Sequence, residues 1–308
     1  MPLHDVIEIV ERLSALSNNT LFVYLYKDVI ECSYFPDFVR FLQKRNLLDS
    51  LEPLPTHGWP RDAAQTPHWL DALASAGVKS LWLTIHGFAE EHDRFVRRPG
   101  AYFQILKFAR AAVAKGLCVV WNLALRGSNF DALRILTQSA ELRAISEQMR
   151  FSVSAHLGNA KRIYGDRPHI GQVREFEASG LVAATPLFSE AEWLSRIDLD
   201  IFATKPMTGG YAEVRVMPDF SIWLHDFPAD RYIGNLRLHS FDRISCALFD
   251  KPSFVGDLKK ATVQPRVAKL ARICGNSFSD SAHCEYSIVS TWLERLSNSH
   301  SQVGDVGG

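Results

Sequence analysis

The stretch SLWLTIHGFAEEHDRFVRRPGAYF, residues 80–103, holds the key to the fold. Its first six residues, Ser80 to Ile85, form a short apolar run rich enough in bulky side chains to be a buried strand. Downstream, Phe103, Leu106, Ala109, Ala112 and Val113 share one face of a helix expected over Tyr102–Lys115, and Gly116 stops it. Leu117 to Leu123 is then a second buried strand. Two buried strands joined through a helix form a β-α-β unit, whose crossover demands parallel pairing.

The same texture extends outward. Val6, Ile7, Val10, Leu13 and Leu16 are spaced for a helix between Asp5 and Ser17, followed by an apolar strand over Leu21–Tyr26. A helix from about Asp37 turns Phe38, Phe41 and Leu42 inward. Leu51–Thr56 is a strand that Pro53 and Pro55 confine to an edge or an irregular path. Thr66 and Pro67 fit a helix N-terminus and Gly77 its stop. Further on come a helix from about Phe130, strands near Phe151–Ser154 and Leu181–Ala184, and a helix opened by the capping box of Ser189 and Glu192.

Strand starts near residues 21, 51, 80, 117, 151 and 181 recur every 29 to 37 residues, the period of successive β-α units. This predicts an α/β protein with a parallel sheet, closed as a full or partial barrel or left open and doubly wound. In a barrel the working groups stand at the C-terminal ends of the strands. Beyond residue 205 the pattern changes: Tyr211–Val216 and Ser221–Leu224 flank Met217-Pro-Asp-Phe220 and read as a β-hairpin. The expected organisation is a β/α unit over 1–205, a small extension over 206–296, and a polar, disordered tail over 297–308.

Composition narrows the function classes. Thirty-four Lys and Arg balance 34 Asp and Glu, which argues against a charge-driven nucleic-acid or membrane-surface binder. No apolar run approaches the about 20 residues of a membrane-spanning helix, and the N-terminus lacks a secretory signal pattern, so a cytoplasmic protein is expected. Cys32, Cys118, Cys246, Cys274 and Cys284 are odd in number and scattered, as reduced thiols would be.

Residues 80–103 closely resemble the fourth β-α unit of radical S-adenosylmethionine enzymes: a strand ending in Ser/Thr-x-His-Gly, a His-Asp loop, and a helix opened by Arg-Gly-Ala-Phe. Gly116-Leu-Cys-Val-Val-Trp-Asn122, Asn129-x-x-x-Leu133 and Thr56-His-Gly-Trp59 continue the likeness. Val216–His225, Tyr232–Leu236 and Ser240–Ile244 look like the extension of the SPASM or twitch type, which carries auxiliary iron-sulfur clusters. The resemblance implies a partial (β/α) barrel with a small hairpin-containing extension, and S-adenosylmethionine and a 4Fe-4S cluster as cofactors.

Two departures bear on that chemistry. The family's Cys-x-x-x-Cys-x-x-Cys loop follows its first strand, and the likeness places Asp5–Ser17 at the helix after that loop, so the first unit is expected to be missing. Tyr26-Lys-Asp-Val29 replaces the glycine-rich turn that approaches the methionine ammonium, and His225 stands about where the first auxiliary cysteine would be. The expectation is a truncated or degenerate member unable to hold the cluster, whose intact relatives modify peptides or small metabolites. An in-frame cysteine motif upstream of Met1 would make the chain part of a complete radical enzyme; a stop codon there would sink that reading.

The alternatives are a clusterless partner or substrate-holding subunit of another enzyme, and a non-radical barrel enzyme with a His-rich mouth. Thr84, His86 and Asn122, at inferred strand ends, are candidates to line a pocket for an adenosyl or substrate group. His92 and Asp93, with His86, are candidates for acid–base work, since a carboxylate can orient an imidazole. Each has a plainer use: the first three hydrogen-bonded at a strand-end turn, Asp93 capping the loop before Arg94. His57, His86, His92 and His156 lack metal-ligand spacing, so no metal site is expected. An open edge at Leu21–Tyr26 would favour a second copy, and a peptide or enzyme partner is also expected.

Overall fold

The computed structural model describes residues 1–16, 34–47, 54–56, 66–153, 165–197, 214–224, 231–249, 280–283 and 288. The expected strand over Leu21–Tyr26, its proposed open edge and the tail over 297–308 lie outside the described residues. Among those described, no helix is long and apolar enough to cross a membrane.

Among the described residues, five parallel strands form the main sheet in sequential order: β1 (Leu54–Thr56), β2 (Ser80–Ile85), β3 (Cys118–Leu125), β4 (Met149–Val153) and β5 (Val182–Ala183). The sequence places four of these close to their observed bounds. Of the expected strand over Leu51–Thr56, Leu54–Thr56 is present as β1, and residues 51–53 lie outside the described residues. Among the described residues three helices precede β2: α1 (Leu3–Leu16), α2 (Phe35–Lys44) and α3 (Thr66–Ser75). Two lie between β2 and β3, α4 (Ala89–Val96) and α5 (Ala101–Ala114). Two more, α6 (Phe130–Leu136) and α7 (Ala140–Ile145), separate β3 from β4, and α8 (Ile170–Ala178) and α9 (Glu190–Ile197) bracket β5.

Period two along the strands sorts the two faces of the sheet. Leu81, Leu83 and Ile85, Val119, Trp121, Leu123 and Leu125, and Phe151 and Val153 all belong to one core. Helical residues Trp69, Leu70, Leu73, Ile105, Leu106, Phe108, Leu133, Leu142 and Phe176 complete it. The opposite face carries Trp82, Thr84, Val120, Asn122, Ala124, Arg150 and Ser152, none of which joins that core. Helix α5 ends at Gly116, whose φ of 79° is a left-handed conformation that glycine adopts without a Cβ penalty. The capping box at α9 forms as expected: Ser189 N–H donates to Glu192 Oε2 at 2.7 Å, and Glu192 N–H donates to Ser189 Oγ at 3.2 Å.

The expected hairpin is present as β6 (Val214–Val216) and β7 (Ser221–Leu224), and β8 (Arg231–Asn235) adds a third antiparallel strand. Helix α10 (Phe241–Phe249) follows. A second core forms here from Phe220, Ile222, Ile233, Leu236 and Ile244, and it includes Ile9 of α1. Helix α1 thus has two buried sides, since Val6 and Val10 belong to the main core. Arg12 donates to Leu236 O at 2.8 Å, and Arg237 pairs with Asp5 and Glu8 at 2.6 Å each.

Candidate functional site

The residues after β2 and β3 meet at the C-terminal edge of the main sheet. Gly87, two residues beyond β2, has φ of 147° and lies beneath Glu91, whose Oε2 would be 2.1 Å from a Cβ at that position. The positive φ favours glycine at this turn, and a Cβ there would also displace the Glu91 side chain. The chain then enters α4, which is a correction to the expected His-Asp loop: His92, Asp93 and Arg94 are helical. Glu90 and Glu91 occupy its first turn and Arg94 its last, a charge order that suits the helix dipole. Only His92 is buried on this helix, so its apolar stripe is too thin to be recognised by periodicity.

His92 is 2% exposed, and its Nδ1 accepts the backbone N–H of His86 at 3.2 Å. An accepting Nδ1 carries no proton, which assigns the neutral ring's proton to Nε2. Burial holds this imidazole's pKa below the ordinary value, against an opposing pull from the Asp93 carboxylate. Asp93 is engaged elsewhere. Its Oδ2 accepts Gly100 N–H at 2.5 Å and its Oδ1 accepts Tyr102 N–H at 2.8 Å, which caps the N-terminus of α5. The ring of His86 stacks on Phe95 with centroids 4.0 Å apart and lies 5.6 Å from the ring of His92.

Three side chains that sequence reasoning passed over complete the cluster. Arg126, one residue beyond β3, donates from Nη2 to Glu91 Oε1 at 3.3 Å and to His86 O at 3.4 Å. Its Nη1 donates to Asp166 Oδ2 at 3.2 Å, and its guanidinium carbon stands 4.4 Å from the centre of the Phe95 ring. Asp166 also accepts from Ser128 N–H and Oγ–H, both at 2.7 Å. Burial raises the Glu91 carboxyl above the ordinary range, opposed by Arg126 and Arg94. Asn129 is fully buried and staples the two strand ends: its Nδ2 donates to His86 O and Ala124 O, and its Oδ1 accepts Arg126 N–H. A signal for this staple exists in Arg126-Gly-Ser-Asn129, a turn-forming run directly after a buried strand.

Thr84 and Asn122 are register partners on the sheet face opposite the main core, and Asn122 Nδ2 donates to Thr84 Oγ1 at 3.3 Å. His86 and His92 are therefore together, Thr84 and Asn122 are together, and the Asp93 carboxylate binds backbone amides. His57 and His156 lie outside the described residues. Among the described residues no group of three or more His, Cys, Asp or Glu is arranged to hold a metal ion.

Cys32, Cys274 and Cys284 lie outside the described residues, and the two described cysteines stand on different elements, whereas an iron-sulfur cluster needs thiolates converging on one centre. Cys118 begins β3, at the edge of the sheet opposite His86, and Cys246 lies on α10; both are exposed. No protein-family model matches the chain, and no curated protein matches it.

Proposed function

We propose that this chain is a radical-S-adenosylmethionine-like partial β/α barrel that holds a small ligand and performs no cluster chemistry itself, serving as a clusterless substrate-holding subunit. Two observations favour the barrel reading: the parallel strands follow one another without a reversal of order, and the core-forming helices pack on one face of the sheet. The observation that carries the holding role is the engagement of the strand-end ionisable groups. Arg126 is shared between Glu91 and Asp166, Asp93 caps α5, and His92 Nδ1 is occupied by a backbone N–H. Groups so committed position loops and keep the mouth rigid, which suits binding better than proton transfer.

Anaerobic reconstitution with iron and sulfide tests the proposal. The expected result is a protein without visible cluster absorption that still binds small ligands. A stoichiometric 4Fe-4S spectrum, or cleavage of S-adenosylmethionine by the reduced protein, would overturn it.

A further inference from the structure

The sheet face away from the main core carries a polar row with unused binding capacity. Thr84, Asn122 and Arg150 are successive register partners on β2, β3 and β4. Asn122 is 7% exposed and spends its Nδ2 on Thr84; its Oδ1 is fully buried and has no hydrogen-bond partner among the described residues. A buried carbonyl oxygen left without a donor is costly, so this position calls for an N–H or O–H.

Arg150 supplies the complementary feature. Its guanidinium carbon lies 5.1 Å from the centre of the Trp82 ring. Trp82 is on β2 and Arg150 on β4, with β3 between them, so the arginine reaches back across β3 above Val120. Contact with the indole face holds the guanidinium in place and leaves N–H groups able to grip an anion in two-point fashion. Among the described residues no carboxylate forms an ion pair with Arg150.

We infer that this row is a binding site for a small carboxylate bearing an adjacent hydrogen-bond donor, as in a 2-hydroxy or 2-amino acid. The carboxylate sits on Arg150 against Trp82, and the neighbouring O–H or N–H donates to Asn122 Oδ1. A neutral ligand leaves Arg150 unanswered, and an anion without the donor leaves Asn122 unsatisfied. The site rests on the ligand-holding reading above and names the chemistry of what is held.

Calorimetric titration of the intact chain with lactate, propionate and lactamide tests the site. The three are close in size; propionate lacks the donor and lactamide the charge. A ligand this small is expected to bind in the millimolar range. Lactate should bind at least about tenfold more tightly than either analogue, the effect of about 1.4 kcal/mol. Arg150→Gln should abolish lactate binding, and Asn122→Leu should erase the preference for lactate over propionate.

Equal affinities for lactate and propionate in the wild-type chain would overturn the inference, as would no heat from any probe at tens of millimolar or undiminished binding by Arg150→Gln. The comparison of probes on the wild-type chain needs no variant to fold. Failure here with a cluster-free reconstituted protein removes this site alone; a reconstituted cluster removes the holding role itself.

Discussion

Replacing Asp93 separates a structural carboxylate from a catalytic one. Its two oxygens accept the Gly100 and Tyr102 N–H groups at 2.5 and 2.8 Å, at the first turn of α5. That helix buries Ala101, Tyr102, Ile105, Leu106, Phe108, Ala109 and Ala112, so loosening its start propagates into the main core. Loss of an N-terminal cap costs about 1 kcal/mol, with an upper range near 2. A carboxylate beside a helix N-terminus adds about 0.5 kcal/mol through the dipole. A second amide bond to the carboxylate adds about 1 kcal/mol.

Asp93→Ala is accordingly expected to destabilise the chain by about 2–3 kcal/mol, and Asp93→Asn, which keeps one accepting oxygen, by about half of that. Urea unfolding followed by far-ultraviolet circular dichroism reads this as a lower midpoint at unchanged slope. An Asp93→Ala protein within about 0.5 kcal/mol of the wild type would refute the capping argument. It would return Asp93 to the imidazole of His92.

Three further outcomes follow from the geometry. Because burial depresses the His92 pKa, the unfolded chain binds more protons than the folded one as pH falls below the ordinary histidine value near 6.5. Its contribution is complete above that pH and is lost progressively below it, by at most about 1.4 kcal/mol per pH unit; a pH series of denaturation midpoints should be flatter in His92→Gln, and parallel profiles would count against it. Arg126→Met leaves Glu91 and Asp166 facing each other in a partly buried site, with a loss of about 3 kcal/mol; thermal melting that matches the wild type would show that the cluster is not a structural lock. Leu83 is fully buried in the main sheet, so Leu83→Ala should cost about 3 kcal/mol, and a shift in melting temperature below that of an exposed substitution would place the core elsewhere.

Much of the fold is legible in the chain because burial leaves a periodic trace. β2 alternates half-buried and buried residues, and the strong stops at Gly77 and Gly116 sit where the expected helices end. The helix α4 escapes notice because its mean hydropathy is low and a single histidine faces inward. The third strand of the small sheet, Arg231–Asn235, escapes notice because Gly234 and Asn235, both poor strand formers, interrupt its apolar pattern. The site divides in the same way. Thr84, Asn122, His86 and His92 stand out as polar residues in or beside apolar runs, whereas Glu91, Arg126 and Asp166 look like ordinary surface charges.

The sequence by itself determined the alternation of strands and helices, the change of texture near residue 205, and the positions of the polar residues along each strand. These are local properties, written in side-chain periodicity and capping residues. Only the tertiary structure decided that Asp93 serves the amides of α5, that Arg126 holds Glu91 and Asp166 across 35 and 40 positions, and that Arg150 reaches Trp82 over the intervening strand. Such pairings depend on which strands are neighbours and in what register. A charge distant in sequence meets its partner only when the folded sheet brings both to one edge.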